Sequence, residues 1–121
     1  MTAGKILVVD DDDDVRDVAV RQLISLGYRV ITAANGAEAL SLLDHTPDVE
    51  LLFVDVSMPG GMSGVELAER ATRSRPQLKI LFASGNWEAG IADKAAQFIV
   101  KPYRKRDLAD KLREIFGETA T

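Results

Sequence analysis

Short apolar runs that recur along the chain constrain its fold more than any other sequence feature. Four of them are nearly continuous and rich in branched or aromatic residues, which is typical of strands buried on both faces of a parallel sheet. A fifth segment alternates polar with apolar residues, as an edge strand does. The continuous runs are residues 6–9, 51–54, 80–83 and 98–100, and the alternating one is residues 29–33.

Helical patterns separate these candidate strands. Gly27 is a natural end for the first helix, while Asn35 with Glu38 and Ser63 with Glu66 are capping-box signatures for the next two. The apolar residues at helical spacing are Val15, Val18, Ala19, Leu23 and Leu26 in the first helix and Leu108, Leu112, Ile115 and Phe116 in the last. The alternation of strand and helix predicts a doubly wound α/β sheet with right-handed crossovers.

The bulk composition is that of an ordinary globular domain and disfavours several function classes. With 121 residues, 46% hydrophobic and 28% charged, we expect one domain with an ordered core over about residues 4–117 and no output domain. The absence of cysteine rules out disulfides and thiolate metal sites. A net charge of −4 argues against nucleic-acid binding. Without a signal peptide or a membrane-length apolar run, we expect a cytoplasmic protein.

Polar residues that follow the predicted strands should converge on one edge of the sheet. Asp10 and Asp11 follow the first run, Asp55 the third, Ser84 the fourth and Lys101 the fifth. Ligands of such sheets bind beyond the carboxyl ends of the strands. Any one of these residues could serve only as a turn or cap, but the set predicts a functional site.

The carboxylates at this edge predict a cation site. Clustered carboxylates raise one another's pKa unless a positive charge neutralises them, and Asp55 lies among apolar neighbours, where an isolated charge is costly. Oxygen ligands suit a hard cation, Mg²⁺ above all when a phosphate completes the shell. The rest of the aspartate run, residues 12–14, is expected to cap and begin the first helix.

Four motifs taken together resemble the response-regulator receiver domains of bacterial two-component signalling. They are KILVVDD, LLFVDVSMPGGMSGVEL, ILFASGN and FIVKPY, and they cover nearly the whole chain. The resemblance implies a CheY-like, flavodoxin-like sheet of five parallel strands in the order 2-1-3-4-5. Only sixteen residues separate Ser84 from Lys101, fewer than is usual in the family, so we expect the helix in that segment to be short or irregular.

The same resemblance implies that Asp55 accepts a phosphoryl group from a histidine kinase or a histidine phosphotransfer protein. Asp11 and Asp55 would bind Mg²⁺ directly, together with the backbone carbonyl of Ser57, and Asp10 mainly through water; Mn²⁺ can substitute. Two positions, Ser57 and Asn86, would tune the lifetime of the phosphorylated state.

Further residues are assigned to the switch by the resemblance. Lys101 would pair with the phosphoryl oxygens, and Ser84 would donate its hydroxyl to them when the switch closes. Phe98 occupies the aromatic switch position, although a Phe on a strand can equally be a core residue. Gly85 would let the backbone approach a phosphate, and Pro102 permits a cis bond that aims the lysine inward.

The sequence therefore predicts a phosphorylation switch, not an enzyme, that signals to an unknown downstream protein. It leaves the oligomeric state open, a monomer included. One alternative is a receiver excised from a hybrid histidine kinase or larger regulator. A haloacid dehalogenase-type phosphatase is less favoured, because that family has a second acid where this chain has Ser57. The basic run at residues 104–106 is either a solvated surface or a docking site for an acidic partner, and His45 is expected to be a surface residue.

Overall fold

The computed structural model of the protein describes residues 4–58, 61–85 and 97–117. In these ranges the elements are β1 Lys5–Val9, α1 Asp13–Ser25, β2 Arg29–Ala33, α2 Gly36–His45, β3 Val49–Asp55, α3 Gly64–Ser74, β4 Lys79–Ser84, β5 Gln97–Val100 and α4 Lys105–Phe116. The five strands form one parallel sheet in the order β2-β1-β3-β4-β5. This order confirms the predicted fold, with the alternating segment at one edge.

The sheet has an apolar core on each face, because alternate strand residues point to opposite sides. One core joins the sheet to α2 and α3, and the other joins it to α1 and α4. Leu7, Val9, Leu52 and Val54 belong to the first, whereas Ile6, Val8, Leu51 and Phe53 belong to the second. Burial on both faces of β1, β3 and β4 is what their continuous apolar runs predicted.

Two apolar residues are more exposed than the sequence pattern predicted. β5 pairs with β4 alone at the edge of the sheet, and its Val100 is 46% exposed, so the prediction of burial on both faces is wrong there. Val18, predicted on the buried face of α1, is 55% exposed. It precedes the buried Ala19, and one residue turns a helix by about 100°, which places Val18 at the flank of the apolar stripe.

The predicted helix starts are confirmed by their caps. Asp12 Oδ1 accepts hydrogen bonds from the backbone N–H groups of residues 14 and 15 at the start of α1. Asn35 caps α2 through Glu38 N at 2.8 Å, and Ser63 caps α3 through Glu66 N at 3.1 Å. Neither capping box is complete, contrary to the prediction. The Glu38 carboxylate accepts a hydrogen bond from the backbone N–H of residue 34, and the Glu66 carboxylate forms an ion pair with residue 70.

A further cap at α4 accounts for part of the basic run. The Asp107 carboxylate accepts a hydrogen bond from the backbone N–H of Arg104 at 2.9 Å, so an acid in the first turn offsets the cationic residues around it. This hydrogen bond first, and then the Arg104 side chain and the charge of Arg106, lower the pKa of Asp107 below its usual range.

Two predictions concern residues beyond the described ranges. The helix expected between β4 and β5 would lie in residues 86–96, and the expected ordered core is followed by residues 118–121; both segments fall outside the described residues. Among the helices that the structure describes, none combines the length and apolar character needed to cross a bilayer.

We expect the Asp107 cap to contribute a stability that acid removes. Because its pKa is lowered in the folded state, the contribution is present above the ordinary aspartate pKa and is lost as the pH falls through the lowered value. Asp107→Ala should therefore melt below the wild type at pH 6, and the difference should shrink towards pH 2.5. Melting temperatures of both proteins across this range test this, and a constant difference would contradict it.

Candidate functional site

The carboxyl ends of four neighbouring strands bring the predicted polar residues together. Val9 of β1 is level with Val54 of β3, so the residues that follow them, Asp10 and Asp55, lie side by side. The backbone N–H of Lys101, just after β5, donates to the Ser84 carbonyl at 2.7 Å. The sheet register thus places two carboxylates, one hydroxyl residue and one lysine at one edge.

Lys101 is the charged group that links the two carboxylates. Its Nζ lies 2.8 Å from Asp55 Oδ2 and 3.8 Å from Asp10 Oδ2. The Lys101 and Asp55 side chains are only 26% and 13% exposed, so water screens this contact less than it would a surface ion pair. One ammonium therefore serves two negative charges, and the peptide bond that follows it, Lys101–Pro102, is cis.

Asp10 is the most buried charged group of the site. It is 6% exposed, and its Oδ1 accepts a hydrogen bond from Asp12 N at 2.9 Å. Burial raises the pKa of Asp10, with smaller contributions in the same direction from the charges of Asp55 and Asp11. The Asp12 N–H and the Lys101 charge oppose the rise without cancelling it. A second positive charge near this carboxylate would therefore be favourable.

The backbone after β3 fixes the orientation of the Asp55 carboxylate. Ser57 N donates to Asp55 Oδ1 at 3.0 Å, while Lys101 occupies Oδ2. The Val56 N–H donates to the Ala83 carbonyl at 3.0 Å, which ties this segment to β4. Both oxygens of Asp55 consequently have a defined partner, and the plane of the carboxylate is set.

Asp11 lies apart from this contact. Its side chain is exposed and lines a cavity of about 340 Å³ with Asn35, Met58 and Met62 among its other walls. Among the described residues, no three acidic or histidine side chains are close enough to hold a metal ion together. The structure thus joins Asp10 with Asp55, and metal binding by Asp11 and by the Ser57 carbonyl stays a prediction.

The donor chemistry nevertheless fits a hard cation. Two carboxylates share a single ammonium, a third carboxylate adds its charge to Asp10, and burial disfavours the charged form of Asp10. Oxygen donors with excess negative charge are the ligands that Mg²⁺ takes in proteins. Asp10, Asp11 and Asp55 are the residues that would hold it.

The residues predicted to act in switching differ in their burial. Ser84 ends β4 and is 4% exposed, one position beyond the residue level with Asp55. Phe98 packs against the core, with its ring stacked on Phe82 at 5.4 Å between centroids, as expected of a core residue. Its switch role stays a prediction. Gly85 is exposed, and Asn86 lies outside the described residues.

Sequence reasoning missed Tyr103, which lines a small pocket with Asp10, Asp55 and Lys101. Its ring lies 6.0 Å from that of Phe53. Burial, helped by the charges of Asp10 and Asp55, raises the pKa of Tyr103 to about 12. The available signal was its position directly after the Lys-Pro pair.

A flavodoxin-like parallel sheet with an acidic site beside a lysine at its carboxyl edge defines the class of this protein. The chain also matches the response regulator receiver domain family over residues 6–113. It belongs to that family.

Individual relatives support this assignment. The chain is 37% identical over 116 residues to the response regulator receiver protein CpdR of Brucella abortus (strain 2308), a match that covers 92% of this chain and 95% of CpdR. It is 35% identical to the sensor kinase CckA of the same strain, over 93% of this chain but 12% of CckA. The response regulator protein TrrA of Thermotoga maritima, solved in complex with Mg²⁺-BeF, superposes with a TM-score of 0.83 at 30% identity, covering 93% of this chain and 98% of TrrA.

Gly64 is a second residue that sequence reasoning did not single out. It begins α3 directly against the end of β3, and its N–H donates to the Val56 carbonyl at 3.1 Å. A Cβ at this position would lie 2.0 Å from the Asp55 carbonyl oxygen. The absence of a side chain at residue 64 therefore lets the helix approach the backbone of Asp55.

We expect Gly64→Ala to destabilise the protein by about 1–3 kcal/mol, since backbone must move to admit the methyl group. Gly61→Ala is the matched control, because a Cβ there meets nothing within 4 Å. Its free energy of unfolding should stay within about 0.5 kcal/mol of the wild type. Urea denaturation of the three proteins measures both values, and equal stabilities for the two variants would contradict this account.

Proposed function

We propose that this receiver domain accepts a phosphoryl group on Asp55 from a histidine kinase or a histidine phosphotransfer protein. The observation that carries the proposal is the 2.8 Å contact between Lys101 Nζ and Asp55 Oδ2, with the buried Asp10 beside it. A carboxylate held by a lysine at the carboxyl edge of a parallel sheet is suited to attack phosphorus, because the cation offsets the charge brought by the donor.

The phosphoryl transfer requires only the phosphohistidine donor, Asp55 and a proton from solvent. A carboxylate oxygen of Asp55 forms the new O–P bond, the N–P bond of the donor's phosphohistidine breaks, and its electron pair stays on the imidazole, which takes up a proton from solvent. Ser57 N–H and Lys101 hold the carboxylate in a fixed plane before the attack. Lys101 can then pair with the phosphoryl oxygens, since it already lies at the acceptor.

Mg²⁺, held by Asp10, Asp11, Asp55 and the Ser57 carbonyl, would supply further neutralisation of the phosphoryl oxygens; Mn²⁺ can substitute. The donor set of this site supports the assignment, and so does TrrA, a family relative solved with Mg²⁺-BeF. The likeness to the receiver domain of the hybrid histidine kinase CckA supports a histidine kinase pathway as the source of the phosphoryl group.

The phosphorylated domain would act as a switch rather than as an enzyme that turns over a substrate. A phosphoryl group adds about −1.5 to −2 charges, next to the buried Ser84 at the end of β4. We propose that Ser84 and Phe98 respond to this charge and alter a surface read by a downstream protein in the cytoplasm, and that Ser57 and Asn86 tune the lifetime of the phosphorylated state.

Both a stand-alone regulator and a domain of a larger protein are consistent with this function. CpdR matches along nearly its whole length, whereas CckA matches over 12% of its length. We propose the single receiver domain, residues 1–121, as the unit that is phosphorylated. No observation on the described residues favours a phosphatase.

Intact mass after incubation with acetyl phosphate tests the proposal. The wild type should gain one phosphoryl group when Mg²⁺ is present and none when EDTA replaces it. Asp55→Asn should gain none under either condition, because the amide is not a nucleophile of comparable strength. Equal modification of the wild type and of the Asp55→Asn variant would contradict the proposal.

A further inference from the structure

Arg16 reaches back from α1 over the aspartate run and contacts both sides of the turn. Its Nη1 donates to the backbone carbonyl of Asp10 at 2.6 Å, and its Nη2 pairs with the Asp13 carboxylate. The Arg16 side chain is 17% exposed, although Asp13 is 83% exposed. The guanidinium is therefore held between the end of β1 and the first turn of the helix.

The Asp10 carbonyl belongs to the peptide group that joins Asp10 to Asp11. Because a peptide group is planar, a hydrogen bond that fixes this carbonyl also fixes the direction in which Asp11 leaves the turn. Two other hydrogen bonds hold Asp10. Its backbone N–H donates to the Ala33 carbonyl at 3.3 Å, and its carboxylate accepts from the backbone N–H of Asp12. Asp11 has no side-chain hydrogen bond or ion pair within the described ranges, so its orientation depends on the backbone.

We propose that Arg16 is a positioning residue for cation binding: by fixing the Asp10–Asp11 peptide, it sets the direction from which the exposed Asp11 carboxylate can reach an ion at Asp10. The inference depends on the Mg²⁺ site of the proposed function. Arg16 also offsets part of the repulsion within five consecutive aspartates, through its pair with Asp13.

Removal of Arg16 has two effects on Mg²⁺ affinity, and they are opposite in sign. A positive charge near a cation site disfavours the cation, so loss of the charge alone should tighten Mg²⁺ binding. Loss of a contact that orients a metal ligand weakens binding, commonly by 10-fold to 100-fold. The sign of the change therefore distinguishes a positioning role from a general electrostatic one.

The experiment is direct Mg²⁺ binding by isothermal titration calorimetry, without phosphorylation. Arg16→Met removes the charge and both donors, whereas Arg16→Lys keeps the charge and loses the two-pronged contact. Arg21→Met is the matched control, because Arg21 is an exposed residue of the same helix. We expect about 10-fold weaker binding in Arg16→Met and Arg16→Lys, with Arg21→Met equal to the wild type or slightly tighter.

Circular dichroism and melting temperatures accompany the titrations. If Arg16→Met does not fold, Arg16→Lys decides the question. A folded Arg16→Met that binds Mg²⁺ as tightly as Arg21→Met, or Arg16→Lys at the affinity of the wild type, would overturn the role of Arg16. Absence of binding in the wild type and in Arg21→Met would instead overturn the metal site of the proposed function, and the inference with it.

Discussion

The ion contact between Lys101 and the carboxylates of Asp55 and Asp10 is the interaction on which the site depends. Burial raises the pKa of Asp10, and the repulsion between two acids at the ends of adjacent strands adds to this rise. The ammonium at 2.8 Å and 3.8 Å offsets this repulsion. The strand order allows this contact, because it places β1, β3 and β4 side by side and β5 next to β4. The backbone N–H of Lys101 then donates to the Ser84 carbonyl at the end of β4. The fold is thus the means by which residues far apart in the chain form one charge cluster.

The aspartates of the consecutive run, residues 10–14, differ in their surroundings and partners. Asp10 is buried and faces Lys101, whereas Asp12 caps α1 and Asp13 pairs with Arg16. These three acids have different partners, which explains how three of the five consecutive charges are tolerated. Among the described residues, the buried polar or charged ones are Asp10 and Ser84, both at strand ends on the carboxyl edge of the sheet. Mg²⁺ at this edge and phosphorylation of Asp55 follow as proposals from that arrangement.

Local patterns in the sequence predicted the strands, the helix starts and the convergence of polar residues, because hydrophobic periodicity and capping are short-range effects. Features that depend on tertiary neighbours were not predictable in this way. Val18 has the spacing of a core residue but lies at the flank of its helix, and 98–100 reads as a buried strand although β5 is at an edge. Arg75 donates to four backbone carbonyls of residues 43–49, a contact across 26 to 32 positions that no periodicity indicates. Residue 64 has no room for a side chain, because helix α3 lies close to the Asp55 backbone, and the sequence alone does not show this contact.

We propose that Asp55, among all the acids of this chain, receives the phosphoryl group. The most direct test is the location of the modification after treatment of the phosphorylated protein with sodium borohydride, which reduces an aspartyl phosphate to homoserine. Tandem mass spectrometry of the peptides then reads the modified position. We expect homoserine at residue 55 alone. Homoserine within residues 10–14, or at any other aspartate while residue 55 stays unchanged, would contradict it.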